Sequence, residues 1–172
     1  MKISGGTGRA GRDTLAPMNP YAKYLGERDA RSVIAETAAK LSAHANRLGA
    51  DGLKRSLAPG KWSAGAILCH LADCEIAFGW RLRQTVALDN HTAQPFDQDV
   101  WAKFYEQLDA GAALEAFSAV RHWNVAWLQM LAPEDFMRRM THPERGEMTL
   151  QTIVDTMAGH DINHLEQLEG IR

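Results

Sequence analysis

The sequence has few cysteines, no long apolar run and no strong excess of charge of either sign. Its two cysteines, Cys69 and Cys74, lie five residues apart on a predicted helix, where the side chains point away from each other, which argues against a disulfide. No apolar run approaches the roughly 20 residues that a bilayer requires, and the first residues lack the apolar region of a secretory signal. We therefore expect a cytoplasmic protein with reduced thiols.

The charged residues nearly balance, with 19 Lys and Arg against 21 Asp and Glu, for a formal net charge of -2. No basic stripe is present, which argues against nucleic acid and anionic membranes as partners. The length of 172 residues and the 45% hydrophobic content are those of one ordinary globular domain.

The chain divides into a short leader and one domain. Residues 1–18 are rich in Gly, Arg and Thr and have little to bury, so we predict a flexible leader there and a single domain over residues 19–172. The segment from Gly6 to Gly11 matches the dinucleotide-binding fingerprint in form. No strand precedes it and no βαβ unit follows, so we reject that interpretation.

Helical periodicity recurs through the domain, whereas strand alternation is nearly absent. Long helices are predicted from about Asp29 to Leu48, from Ser63 onward, over about 112–131, and from Thr149 to the end. A short helix is predicted around residues 98–105. The pattern predicts an all-α fold, a four-helix bundle with one short extra helix between helices 2 and 3.

Two histidines, His160 and His164, stand four residues apart in the last predicted helix. They lie in an apolar stripe that also contains Leu150, Ile153, Met157, Leu168 and Ile171. On a helix, residues four apart project from one face, so both imidazoles could bind one divalent cation. The alternative is a pair of core histidines satisfied by hydrogen bonds, and the spacing favours the metal.

A catalytic metal site normally has three protein ligands, so a third should lie upstream. A zincin protease is a poor fit, because Asp161 replaces the catalytic Glu and only eight residues follow His164. Both His70 and His44 remain as candidates, and periodicity favours His70 modestly. Exposure is expected for the other three histidines, His91, His122 and His142.

The motifs together resemble a known family, the DinB-like superfamily of four-helix-bundle proteins, over about residues 29–172. The resemblance is carried by Trp62-Ser63, by His70-Leu-Ala-Asp73-Cys-Glu75, by Arg145-Gly-Glu-Met-Thr149 and by Gly159-His-Asp-Ile-Asn-His164-Leu-Glu-Gln167. It implies that His70, His160 and His164 form a divalent metal site. The family often has an acidic residue at the position of Ala66, three after the capping Ser63.

The resemblance also implies a function. Some members of the family are thiol-dependent transferases or isomerases that use bacillithiol or mycothiol, so we expect a metal-dependent enzyme that transfers a thiol to a small electrophile or hydrolyses a small molecule. Three neutral imidazoles suit Ni, Zn or Fe(II). The alternative is a non-catalytic bundle that binds a metal or a small molecule. Family likeness and the five tryptophans predict a homodimer.

Several polar residues near these motifs have two interpretations. Asp73 and Asp161 could orient the histidines or lie on solvated helix surfaces, and Glu75 and Glu166 are weaker candidates for the same role. Arg121 and Asn124 could hold a substrate carboxylate or amide, or lie at the end of the bundle in contact with water. For Cys69 and Cys74 we predict small apolar roles in the core.

Overall fold

The computed structural model describes residues 19–172, so the predicted leader over residues 1–18 lies outside the described part. Its α-helices are α1 (Ala22–Leu25), α2 (Ala30–Gly52), α3 (Ala64–Ala87), α4 (Gln98–Trp101), α5 (Ala110–Gln129) and α6 (Leu150–Gly170). Two 3₁₀ helices cover Ala102–Gln107 and Pro133–Met137, and two strands, β1 (Arg139–His142) and β2 (Gly146–Thr149), form a hairpin.

The four long helices, α2, α3, α5 and α6, form a bundle in which α3 packs along α5 and α2 packs along α6. The prediction of an all-α four-helix bundle is confirmed, with α4 as the short extra helix. None of the helices in residues 19–172 combines the length and the apolarity that crossing a membrane would take.

Side chains cap the two helices that carry the paired histidines and His70. Ser63 Oγ accepts from the backbone N–H of Ala66 at 3.1 Å and begins α3, as predicted. The Glu106 carboxylate accepts from Ser63 N at 3.2 Å and from Ser63 Oγ at 2.8 Å. Glu106 thereby supplies from a distant segment the acidic group that a capping box would place at Ala66. Thr149 caps α6 through Thr152 N at 3.1 Å.

The β-hairpin was not predicted. Met140 lies opposite Met148 across the antiparallel ladder, and both side chains are buried. Each strand has only four residues, too few for an alternating pattern to stand out from the helical periodicity around it. The hairpin matters for the site because its turn carries Arg145.

A polar layer crosses the middle of the bundle between two apolar clusters. One cluster contains Ile34, Leu82, Leu128 and Met157, and the other contains Leu41, Leu71, Phe117 and Leu168. Along each long helix, a buried polar residue separates the members of the two clusters: Thr37, Glu75, Arg121 and Asp161. Burial of polar groups is costly unless they are paired, so this layer requires specific partners.

Candidate metal centre

Three histidines meet in the interior of the bundle, next to the polar layer. His70 comes from α3, and His160 and His164 come from successive turns of α6. The Nε2 atom of His160 lies 3.0 Å from Nε2 of His70 and 3.2 Å from Nε2 of His164. All three side chains are buried. The structure therefore brings together the three residues that the sequence and the family resemblance selected.

One atom, His160 Nε2, is shared between two imidazole neighbours. An imidazole nitrogen carries either one hydrogen or one lone pair, so it forms at most one good hydrogen bond. A chain of hydrogen bonds through this atom would leave one of the two contacts unsatisfied. The two separations of 3.0 and 3.2 Å are close to the about 3.3 Å expected between nitrogens that lie about 2.0–2.1 Å from one tetrahedral ion. The donor set fits a divalent metal.

Burial keeps these imidazoles neutral. It lowers the pKa of His70 to about 3, with a smaller contribution from the positive charge that His164 would carry. The pKa of His160 lies well below its usual value and that of His164 is also lowered, in both cases chiefly by burial. Neutral imidazole is the form that binds metal, so the cluster is ready for an ion near neutral pH.

Gln167, for which no role was predicted, fixes the orientation of one imidazole. Its Oε1 atom lies 3.1 Å from Nδ1 of His164, so the ring donates from Nδ1 and keeps the lone pair of Nε2 toward the cluster. This is the tautomer that a metal ligand needs. The signal in the sequence is the spacing of three residues between His164 and Gln167 on one helix.

Cys74 lies closer to the site than a packing role predicts. Its Sγ atom is 3.5 Å from His70 Nε2, and Cys74, His70 and His160 offer ligand atoms that all lie within 4.8 Å of one another. Burial raises the pKa of the Cys74 thiol to about 12. Cys69 does have the predicted core role, since it is buried beside Tyr105.

Tyr21, just before α1, contributes to the site and was also missed. Its ring packs edge-on against His160 with centroids 5.1 Å apart. The close approach depends on Gly159, because a Cβ atom there would lie 2.7 Å from the Cβ atom of Tyr21 and would also collide with its backbone carbonyl. A glycine within a helix costs about 1 kcal/mol relative to alanine, and this contact explains it.

Two openings reach the histidines. The His160 cavity, of about 80 Å³, is lined by Tyr21, Cys74, Arg81, Arg145, Thr156 and His160, among others. The His164 cleft, of about 480 Å³, is lined by Lys61, Trp62, Asp99, His164 and Gln167, among others. A cleft of the second size can hold a small organic molecule. The cluster therefore borders a small cavity at His160 and a larger cleft at His164.

The polar residues adjacent to the ligands in sequence have other partners. Asp73 accepts a hydrogen bond from the Tyr105 hydroxyl at 2.8 Å, and Asp161 and Glu75 both bind Arg121. In residues 19–172, none of these three carboxylates is hydrogen-bonded to a ligand imidazole. Glu166 is exposed.

Arg121 and Asn124 neither reach a substrate opening nor contact water at the bundle end. Both are 1% exposed. Burial would lower the pKa of Arg121, but the carboxylates of Asp161 and Glu75 outweigh it and raise that pKa. Asn124 donates to Glu75 at 2.7 Å. Both interpretations from the sequence are therefore wrong, because these residues belong to the polar layer.

The remaining histidines lie outside the cluster. His122 is exposed as predicted, whereas the prediction for His142 is wrong, because it is buried and accepts a hydrogen bond from Glu144 N at 3.2 Å. His91 is only partly exposed, and both of its ring nitrogens are buried. His44, the other candidate for third ligand, has its Nε2 atom 3.7 Å from the carboxylate of Glu169.

The neutral state of His70 predicts a pH-dependent stability for the metal-free protein. The unfolded imidazole binds a proton below pH 6.5, whereas the folded one resists protonation down to about pH 3, so acid favours unfolding across this window. Between about pH 7.5 and about pH 5, His70 alone should lower the free energy of unfolding by about 2 kcal/mol. We therefore measure the free energy of unfolding by urea, with chelator present, for the wild type and for His70→Gln. The difference between the two proteins should change by about 2 kcal/mol, to the disadvantage of the wild type, from about pH 7.5 to about pH 5.

The exposed His122 supplies the control for this measurement. His122→Gln should differ from the wild type by the same free energy at both pH values, because this side chain is exposed and lies outside the cluster. A pH-independent difference for His70→Gln would contradict the burial of a neutral imidazole at this position.

Comparison with known proteins gives consistent matches. A family model described as the DinB superfamily matches residues 34–168. A protein of Oceanobacillus iheyensis is 26% identical over 122 residues, which are 70% of this chain and 71% of the relative. A protein of Bacillus mycoides is 24% identical over 114 residues, 66% of each chain. Both relatives carry the provisional name of metal-dependent hydrolase.

A solved structure is also similar. YfiT from Bacillus subtilis, described as a probable metal-dependent hydrolase with an unusual four-helix bundle topology, superposes with a TM-score of 0.74 at 22% sequence identity. The match covers 81% of this chain and 83% of YfiT. At this identity the likeness establishes a common fold.

Proposed function

The chain belongs to the DinB superfamily, and from that premise we propose that it is a metal-dependent hydrolase of small molecules whose divalent ion is held by His70, His160 and His164. The observation that carries the proposal is the shared nitrogen of His160, which faces two other Nε2 atoms at 3.0 and 3.2 Å. Hydrogen bonding accounts for one of these contacts and a cation accounts for both.

When bound, a divalent ion supplies Lewis acidity and lowers the pKa of a water or thiol that reaches it. The chain's own residues position and shield the site. Gln167 holds the tautomer of His164, and the half-buried rings of Tyr21 and Trp62 pack on His160 and His70. The His164 cleft offers the space for a substrate beside the cluster.

Thiol transfer to a small electrophile, with a low-molecular-weight thiol as second substrate, is the alternative reaction at the same centre, because a dication activates thiols as well as water. Zn, Ni and Fe(II) all suit three imidazoles, and a nearby cysteine favours the softer zinc among them. A non-catalytic protein that binds a metal or a small molecule in this pocket is the remaining alternative.

The proposal includes a cytoplasmic homodimer. Two large aromatic side chains, Trp80 on α3 and Trp123 on α5, are 63% and 68% exposed, and these helices pack side by side. Exposed tryptophans are common anchors of protein interfaces. Sedimentation of the wild type and of a Trp80→Ser, Trp123→Ser double variant tests this part, with a dimer expected for the first and a monomer for the second.

The proposed activity is tested on protein purified without chelator. We expect about one equivalent of bound divalent metal per chain, together with hydrolysis of a panel of small esters and amides that disappears after dialysis against chelator and returns with added Zn, Ni or Fe(II). The parallel assay adds a low-molecular-weight thiol and a chloronitroaromatic electrophile.

The assays separate the three interpretations. Metal-dependent turnover without thiol supports the hydrolase, and thiol-dependent conjugation alone supports the transferase. Bound metal with turnover in neither assay, across the whole panel, would favour the non-catalytic interpretation. A protein that takes up none of the three metals would overturn the proposal.

A further inference from the structure

Two arginines face the His160 cavity from different elements of the fold. Arg81 is on α3, seven residues after Cys74 and therefore on the same side of the helix two turns later. Arg145 is in the turn between β1 and β2. Tyr21, Gln98, Thr156 and His160 also line this cavity. Five separate segments of the chain thus bring polar groups to one small cavity beside the histidine cluster.

Neither arginine forms an ion pair with a carboxylate of the described residues, 19–172. Arg121, Arg138 and Arg139 each form ion pairs at 3.4 Å or less, whereas Arg81 and Arg145 form none within the part of the chain that the structure describes. The side chain of Arg81 donates one hydrogen bond, to the backbone carbonyl of Gln94 at 3.2 Å. Glu144 acts on Arg81 only at longer range.

The two guanidinium groups repel each other. Burial is the main cause of the lowered pKa of Arg81, and the positive charge of Arg145 is the next. The charge of Arg145 also lowers the pKa of His142, after the larger effect of burial. Two like charges without a counter-ion do not stabilise a folded protein. Such a pair is typical of a site that binds an anionic ligand.

The size of the cavity limits the ligand. A volume of about 80 Å³ admits a group of a few heavy atoms rather than a whole metabolite. Carboxylate and phosphate groups have this size, and a guanidinium binds either through paired N–H···O hydrogen bonds. His160 is part of the same wall, so an anion in this cavity would lie next to the proposed metal.

We propose that Arg81 and Arg145 form a binding subsite for a compact oxyanion, a carboxylate or phosphate group of the substrate, in the His160 cavity. This inference rests on the proposed function, since it places the anionic end of a small substrate beside the metal-binding histidines. The scissile or reacting part of the substrate then extends from the cavity along the cluster. Neutral analogues that lack the anionic group should be poor substrates.

The test measures anion binding in the metal-free protein, so it does not depend on activity. Inorganic phosphate and acetate are titrated separately into the wild type by calorimetry at low ionic strength. We expect saturable binding of at least one, and the stronger of the two identifies the group. Arg145→Gln and Arg81→Gln should each weaken that binding by about 10-fold or more, as expected for loss of a charge-assisted pair of hydrogen bonds.

Arg139→Gln is the matched control, because Arg139 lies on the same hairpin but pairs with Glu147 at 2.7 Å outside the cavity. It should bind the anion like the wild type. Thermal melts verify that each variant is folded. If Arg81→Gln is unstable, Arg145→Gln alone decides the test, because Arg145 lies in a turn rather than in a long helix.

The outcomes distinguish this inference from the proposed function. Wild-type protein that binds neither probe, or an Arg145→Gln variant that binds with unchanged affinity, overturns the subsite. Anion binding that is lost in the arginine variants of a protein that takes up no metal would support the subsite and overturn the hydrolase. Retained metal stoichiometry in all three arginine variants is expected, since none of them supplies a ligand.

Discussion

Replacing His160 with alanine should lower the affinity of the protein for zinc or nickel by more than about 100-fold, because loss of a ligand exceeds the 10- to 100-fold cost of losing a residue that only orients one. His160 is the central imidazole: its Nε2 atom contacts those of both His70 and His164. In its absence only His70 on α3 and His164 on α6 remain, and no imidazole nitrogen lies between them. Competition against a chromophoric chelator measures the affinity directly.

His142→Ala is the matched control, since His142 is another buried histidine and lies outside the cluster. It should bind metal with wild-type affinity. His164→Ala should weaken binding to a similar extent as His160→Ala. If His160→Ala binds metal with unchanged affinity, these three histidines are not the metal ligands, whatever metal the protein contains.

Gln167→Ala measures the contribution of orientation. The variant retains all three ligands but loses the hydrogen bond that selects the tautomer of His164. We expect a loss of about 10-fold or more in metal affinity, smaller than that of His160→Ala. The order of the two effects distinguishes a ligand from a residue that acts through one.

Local sequence patterns were sufficient for the four long helices and the paired histidines, whereas the short helix α1 was not predicted. Ser63 and Thr149 begin α3 and α6 as their capping chemistry predicts, and spacing alone placed His160 and His164 on one face. Periodicity left His70 and His44 open as the third ligand. The family resemblance selected His70, which the structure places 3.0 Å from His160.

The parts of the site that were missed depend on contacts between distant segments. Tyr21 reaches His160 across 139 positions of sequence, and only Gly159, in the middle of a helix, signals that a backbone approaches there. Arg145 lies in a hairpin turn whose strands are too short to predict. Arg121 was misplaced because an arginine in an apolar stripe usually reaches a surface, and its two carboxylate partners are on other helices.

Replacing Arg121 with methionine should destabilise the protein by about 3–5 kcal/mol, because removal of one member of a buried ionic network leaves the others without compensation. Arg121 on α5 donates to Asp161 on α6, to Glu75 on α3 at 2.7 Å and to the backbone carbonyl of Ile34 on α2 at 3.0 Å. Thr37 on α2 donates to Asp161 at 2.8 Å. One side chain therefore joins all four long helices.

Urea unfolding of the metal-free protein measures this loss. Arg139→Met is the control, since its ion pair with Glu147 is more than half exposed on both sides and should contribute no more than about 1 kcal/mol. Arg121→Lys should recover little, because an ammonium cannot reproduce hydrogen bonds to two carboxylates and a carbonyl in the planar geometry of a guanidinium.

The triple variant Arg121→Met, Glu75→Gln, Asp161→Asn separates the cost of unpaired charge from the loss of packing. Neutral amides no longer require a counter-ion, so we expect the triple variant to be more stable than Arg121→Met alone. If both are equally unstable, the loss comes from packing and hydrogen bonds rather than from charge.

The same variants also test whether the polar layer positions the metal centre. Asp161 adjoins His160 on α6, and Glu75 adjoins Cys74 on α3. Metal affinity measured on folded samples of these variants shows whether the polar layer also holds α3 and α6 in register for the metal centre.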